Sequence, residues 1–172
     1  MAVSPDIRTK HLLITPFGCR YLSLRYVDWL NDPDVTRFSR QRHRKHTVAS
    51  CRDYAESFEN TPNYFWAILE VDDDFFHIGN INAYVDTANG IADIGILIGE
   101  KTAWGKGYAA EAFDALFEFF IEKQGLAKIT AGTVRPNVQM LKVMQKVGMV
   151  EDGVKRCHHM VEGARTDVIH MA

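Results

Sequence analysis

The chain has 172 residues, 47% of them hydrophobic and 24% charged, a balance that suits a single domain over residues 1–172 and excludes a disordered or fibrous chain. Its 20 Lys and Arg against 22 Asp and Glu leave a formal charge of −2, which gives no global attraction to nucleic acid or to an anionic membrane. The N-terminal stretch MAVSPDIRTKH lacks the apolar run of a signal peptide, and Glu118 interrupts the apolar segment Phe113 to Ile121, so a cytoplasmic protein is expected. Cys19, Cys51 and Cys157 are odd in number and far apart, and are expected to be free thiols.

In chain order, His11 to Phe17 is a short apolar strand bounded by Pro16 and Gly18. A first helical region covers Ser23 to Asn31, with a further turn begun at Pro33. The basic loop Arg40 to His46 follows, and Thr47 caps a second helix that Asn60-Thr61-Pro62 stops. From Tyr64 the period changes. Tyr64 to Val71, Phe75 to Val85 and Ile91 to Ile98 read as strands of an antiparallel meander, joined by Asp72-Asp73-Asp74 and by Asp86 to Gly90.

A long helix runs from Tyr108 to about Gln124, with Ala109, Ala112, Phe113, Leu116, Phe117, Phe120 and Ile121 as its buried stripe. Gly125 ends it and Lys128 to Val134 is the strand after it, so the helix is the crossover of a strand-helix-strand unit. Asn137 starts another helix to Lys146, with Met140, Leu141, Met144 and Val147 inward. Met149 to about Met160 and Thr166 to Met171 are strands around the turn Glu162-Gly163-Ala164. The order β-α-α-β-β-β-α-β-α-β-β predicts an α/β (α+β) fold, a mixed, twisted central sheet with helices on both sides.

Between Ile98 and Tyr108 lies a glycine-bearing turn, Trp104-Gly105-Lys106-Gly107-Tyr108-Ala109, that opens directly into the long helix. The free amides of a helix start, with its partial positive charge, favour a phosphate or pyrophosphate there, and glycines let the backbone approach an anion closely. A tight connection of the same composition needs no ligand. The turn lacks the Lys-Ser/Thr ending of a nucleoside triphosphate loop, and the preceding meander does not open a dinucleotide-binding unit.

Ile94 to Ile98 followed by Trp104 to Ala112 resembles the signature strand and pyrophosphate-binding turn of the GNAT N-acetyltransferase superfamily, more narrowly the branch of the ribosomal-protein alanine N-acetyltransferases. Asn137 and Lys146-Val147-Gly148-Met149 match a second family block, with Met149 where phenylalanine is usual. Trp29 to Val35 and Glu151-Asp152-Gly153 resemble the branch's first helical region and the segment after its last helix. The resemblance implies a three-layer fold with a V-shaped splay between two central strands, and acetyl-CoA as cosubstrate. The amides of Gly105, Lys106, Gly107, Tyr108, Ala109 and Ala110, entered from Trp104, would hold the pyrophosphate. A backbone N–H at Leu97 or Ile98 would meet the pantetheine or acetyl carbonyl, Asn137 would touch the coenzyme arm, and the Lys106 charge would lie next to the phosphates. It also implies a possible homodimer.

Acetyl transfer to an amine needs a neutral nucleophile, a polarised carbonyl and a thiolate leaving group. Asp93, Glu100 and His77 are the candidate proton acceptors. In many relatives a tyrosine in the helix after the asparagine protonates the thiolate, but seven residues beyond Asn137 this chain has Met144. A thiol pKa near about 8.5 makes the thiolate a tolerable leaving group that water can protonate. His158 and His159, as adjacent strand residues, are expected on opposite faces, and no metal site is expected.

On the acceptor side, Asn80, Asn82 and Tyr84 share one strand face by period two, placed to order the amine or a deprotonating water, or simply a partly exposed face. Arg40 and Arg42 in the basic loop suit a phosphate, and a solvated surface as well. A protein N-terminus, an amino sugar or nucleotide-linked amino sugar, and a polyamine or antibiotic stay open as acceptors. So do a non-catalytic CoA-binding domain and a nucleic-acid module, although the net charge favours neither nucleic acid nor membrane as partner.

Overall fold

The computed structural model describes residues 4–172. Its strands form one eight-stranded sheet in the order β1-β2-β3-β4-β5-β6-β8-β7. These are β1 (Ile7–Arg8), β2 (Leu12–Pro16), β3 (Tyr64–Glu70), β4 (Phe76–Asp86), β5 (Ile91–Ile98), β6 (Lys128–Val134), β7 (Glu151–Val161) and β8 (Ala164–Met171). Four α-helices accompany them: α1 (Leu24–Asn31), α2 (Val48–Glu56), α3 (Tyr108–Phe117) and α4 (Val138–Lys146). The expected order therefore stands, with the two-residue β1 added before the first strand.

β1 to β5 are an antiparallel meander, and the two faces of that meander carry different cores. Leu12, Ile14, Trp66, Ile68, Ile78, Ile81, Ala83 and Ile94 pack with Ala112, Phe113, Leu116 and Phe120 of the α3 segment. On the other face Phe65 and Leu97 join Tyr26, Trp29, Leu30, Cys51 and Phe58 of the α1 and α2 region. Alternation along each strand produces this two-sided burial, which is why β3 is buried at every position.

The expected helix to Gln124 changes character near its middle. α3 ends at Phe117, and Glu118–Lys123 forms a π-type turn in which the amide of Gln124 donates to the carbonyl of Phe119 at 3.0 Å. The wider turn shifts the helical phase, so Phe119 is buried and Ile121, expected on the buried stripe, is exposed. Ala109 is only half-buried for the simpler reason that it sits in the open first turn.

β7 carries a second irregularity. Lys155 pairs with Val168 and His159 with Thr166, leaving the residues between them out of the ladder. Cys157 has φ 49°, and its amide donates to Asp167 at 2.9 Å. This bulge breaks strand alternation, and the rings of His158 and His159 lie 5.3 Å apart instead of on opposite faces.

Candidate functional site

Among the described residues β5 and β6 are the only parallel neighbours of the sheet, and they pair over three positions: Ile91 with Lys128, Ala92 with Ile129 and Asp93 with Thr130. Beyond these, β5 continues against β4 while β6 turns to β8, so the two strands part in a V. Ile96 and Ile98 are half-buried along one edge of the gap. The amides of Gly99 and Glu100 both donate to the carbonyl of Ile78, and the antiparallel ladder alternates from there. Leu97 accordingly directs its backbone toward Asn80 on β4, and Ile96 and Ile98 direct theirs into the V. Of the two amides expected at the splay, Ile98 faces it and Leu97 does not.

The glycine turn closes the mouth of this V. Gly105 and Gly107 have φ of 77° and 88°, conformations that other residues adopt only under strain, and Gly107 is the N-cap of α3 with no side chain capping it. Among the described residues the amides of 105 to 110 have no acceptor; the first helical bond to form is Glu111 N–H to Gly107 at 3.1 Å. That is a row of donors with the helix dipole behind it. Trp104 anchors the turn by donating its indole N–H to the carbonyl of Ile98 at 2.8 Å.

Lys106, expected to bring its charge next to the phosphates, has a carboxylate partner within the chain. Its Nζ pairs with Glu70 Oε1 at 2.9 Å, and the Tyr108 hydroxyl donates to the same oxygen. These two donors, Tyr108 first, hold the Glu70 carboxyl below the usual carboxylate range. Burial, and then the Glu70 carboxylate, push Tyr108 up to about 12. Sequence spacing gave no signal for Glu70, whose partners are far away along the chain. Asn137 caps α4 by accepting from the Met140 amide at 3.3 Å and donates to Thr133 of β6 at 2.9 Å. Met144 is completely buried in the core and has no proton to give.

The three candidate bases part company. His77 is 6% exposed in a box of Phe17, Tyr21, Tyr26 and Trp29 rings, with Nε2 bonded to the Gly79 carbonyl at 3.0 Å. Burial above all pushes its pKa down to about 4, so it is neutral at pH 7 and a weak proton acceptor for a charged amine. Asp93 is exposed at the closed apex of the V and accepts from the Thr130 hydroxyl at 2.7 Å. It stands five residues, about 16 Å along a strand, from Ile98. Glu100 is half-buried at the open end. Its Oε1 accepts from the Thr102 amide and hydroxyl at 3.3 and 3.1 Å, capping the short 3-10 turn Lys101–Ala103 and leaving Oε2 without a partner among the described residues.

Asn80, Asn82 and Tyr84 lie opposite Leu97, Gly95 and Asp93 on the α1 and α2 side of the sheet. Asn80 is 5% exposed, and among the described residues neither atom of its side-chain amide has a partner within hydrogen-bond geometry. An unmade pair of buried hydrogen bonds costs about 1–3 kcal/mol per group, so such an amide is normally matched by a ligand or water. Tyr84 is exposed and shares a hydrogen bond of 3.1 Å with Tyr54.

The α1–α2 connection crosses above the V. Asp32 and Asp34 both pair with Lys101 at 2.8 Å, next to the glycine turn. Phe38 packs on Val134, Val161 and Val168 of the other arm, and Arg37 pairs with Glu162 at 2.7 Å. Arg40–His43 form a 3-10 turn in which Arg42 donates to the carbonyl of Ser39 at 2.5 Å and to that of Met160. The basic loop is thereby brought to the β7 bulge, a neighbour the sequence did not reveal.

A cavity of about 860 Å³ lies on the outer flank of α3 and meets the amide row at Lys106, Gly107 and Ala110. Among the described residues no group of three His, Cys, Asp or Glu is placed to hold a metal ion, and no helix is long and apolar enough to cross a membrane.

The acetyltransferase (GNAT) domain model fits residues 12–150, a range that includes the splay and the glycine turn. The chain belongs to the GNAT acetyltransferase family. An uncharacterized N-acetyltransferase, p20, of Bacillus licheniformis is 27% identical over 143 residues, covering 80% of this chain and 79% of that one. A ribosomal L7/L12 alpha-N-protein acetyltransferase in complex with coenzyme A superposes with a TM-score of 0.83 at 12% identity, over 97% of this chain and 96% of that one. A spermidine N-acetyltransferase from Vibrio cholerae, in complex with CoA and spermine, gives 0.82 at 14% identity, over 95% of each chain. GNAT proteins with such different acceptors fit equally well, so the fold selects no branch, and the narrower resemblance to the alanine N-acetyltransferases is not singled out.

Proposed function

We propose that the protein is one cytoplasmic acetyltransferase domain that moves an acetyl group from acetyl-CoA to a primary amine of a small molecule or a protein N-terminus. The observation that carries this proposal is the unpaired row of amides at residues 105 to 110, set at the mouth of the β5–β6 splay. In this assignment the pyrophosphate rests on that row and the pantetheine extends the sheet along Ile96 and Ile98. The backbone N–H groups of these residues polarise the acetyl carbonyl as negative charge develops on its oxygen. Trp104 and Lys106 shape the turn through Ile98 and Glu70, and Asn137 fixes α4 beside the coenzyme arm.

Glu100 Oε2 accepts the proton of the incoming ammonium, directly or through water, and Asn80 orients the amine or that water with Asn82 and Tyr84 beside it. Asp93 is the second base candidate, and His77 serves as a neutral wall of the acceptor side. With Met144 in the core, solvent protonates the departing thiolate. An amino sugar or nucleotide-linked amino sugar is supported by the basic loop over the acceptor side. The family resemblance also supports a homodimer, which sedimentation would test.

The experiment is a titration with acetyl-CoA followed by thiol release across a panel of primary amines. Binding with turnover supports the enzyme; binding without turnover on any amine replaces it with a CoA-binding domain, and an unchanged melting temperature at saturating acetyl-CoA rejects both.

A further inference from the structure

The 3-10 turn of the basic loop and the bulge of β7 gather Arg40, Arg42, His43, His158 and His159 in one patch. Arg42 ties the two segments by donating to Met160, and the His158 and His159 rings are 5.3 Å apart. The side chains of Arg40, His43 and His158 are exposed and make no hydrogen bond or ion pair among the described residues, and His159 Nδ1 is buried without a partner. The nearby acids are already engaged: Glu162 by Arg37, and Asp167 by Arg135 and the Cys157 amide. Burial, and then His158, Arg40, Arg42 and His43, hold His159 below the usual imidazole range, as expected for an uncompensated cluster of positive groups.

We propose that this cluster receives a phosphoryl group of the acetyl acceptor, so that the preferred substrates are phosphorylated primary amines. The inference rests on the acetyltransferase assignment above and narrows its acceptor. Arginine offers a planar fork to phosphate oxygens, and each imidazole adds an N–H donor. Arg42, fixed on two backbone carbonyls, supplies a stationary charge, while Arg40, His43 and His158 are free to close on the ligand. Asp32 to Arg37 cross the V between Lys101 and Glu162, and the turn that carries Arg40, Arg42 and His43 follows at the far arm, so a phosphate held there leaves the amine end of a small molecule to reach under the crossing segment. The patch centres on one turn and one bulge, with Arg165 donating to the Cys157 carbonyl at 3.3 Å beside it, a size that fits a single phosphoryl group better than a nucleic-acid strand.

The test uses protein saturated with CoA, so that the glycine turn is occupied and cannot bind the probe. Inorganic phosphate is titrated by calorimetry or 31P NMR. The wild type binds, the Arg40→Gln/His159→Gln double variant binds about tenfold more weakly, and Arg40→Lys keeps most of the affinity. In turnover, the ratio of kcat/KM for 2-aminoethyl phosphate to that for ethanolamine falls by about tenfold in the same double variant. Retained CoA affinity verifies that the variants are folded. Phosphate binding that is absent, or equal in variant and wild type, overturns the site. So does binding of a single-stranded oligonucleotide with a salt dependence of several released counterions, which assigns the patch to nucleic acid instead. Because the phosphate titration needs no turnover, failure of the acetyltransferase assignment is read separately.

Discussion

The indole N–H of Trp104 is bonded to the carbonyl of Ile98 at 2.8 Å, which fastens the first residue of the glycine turn to the last residue of β5. The bond takes up the one carbonyl at the end of the strand that faces the splay and leaves the Ile98 amide free. Trp104→Phe keeps the ring and removes the bond. We expect a loss of about 1 kcal/mol in urea unfolding and a several-fold weaker Kd for acetyl-CoA by calorimetry. Equal affinity in the two proteins would separate the turn's anchoring from coenzyme binding.

Gly107→Asp places a carboxylate, in a left-handed conformation, at the N-cap of α3 among the unpaired amides. The carboxylate competes with the pyrophosphate for the same donors and repels it. Affinity for acetyl-CoA should fall at least about tenfold. An unaltered titration curve would mean that the pyrophosphate is held elsewhere.

Glu100→Gln preserves the acceptor atom that caps Lys101–Ala103 and removes the base. We expect kcat/KM for a primary amine to drop by about a hundredfold, with the acidic limb of the pH–rate profile displaced. If rate and profile are unchanged, Asp93→Asn becomes the next variant, and if that too is silent the proton leaves through water alone.

His77 links burial to pH. Its folded pKa, about 4, lies below the ordinary 6.5, so below pH 6.5 the unfolded chain takes up a proton that the folded protein refuses. Stability from this group is therefore full above pH 6.5 and declines as pH falls toward about 4, by roughly 3 kcal/mol in all. Glu70 acts in the same direction at lower pH: with its folded pKa depressed, its contribution is present above its unfolded pKa and is lost as pH falls through the folded one. Urea unfolding at pH 7 and pH 4.5 measures the first effect, and in His77→Gln the difference between the two pH values should shrink. A difference as large as in the wild type would assign the pH dependence to other groups.

Met144 is a packing residue at the position where the family resemblance implies a tyrosine acid. Met144→Leu should cost less than about 1.5 kcal/mol and leave kcat in place, whereas Met144→Ala should cost about 2–5 kcal/mol through the cavity it leaves. A collapse of kcat in the leucine variant, with stability retained, would give the thioether a part in the chemistry.

Local patterning made most of the fold legible. Ile91–Ile98 and Lys128–Val134 were bounded by turn residues and match the observed strands, and Thr47 and Asn137 cap the helices they were expected to start. The glycine turn was legible because dihedral requirement and helix entry are both written locally. What the sequence hid are relationships across the chain. Glu70 reads as the end of a strand, yet it receives both Lys106 and Tyr108; Phe38 reads as an apolar contact of the first helical region and the turn begun at Pro33, yet it lies on three valines of the second arm. The π-type turn and the Cys157 bulge altered side-chain direction without any glycine or proline to announce them, so Ile121 and the paired histidines fell on unexpected sides.

Mechanically, the sheet is two plates on a short hinge. Three residue pairs between β5 and β6 form the pivot, and the connection held by Asp32 at one end and Glu162 at the other is a tie rod between the plates. Any change in the width of the gap between β5 and β6 has to be taken up by that connection, because its two ends are ion-paired on opposite sides of the gap.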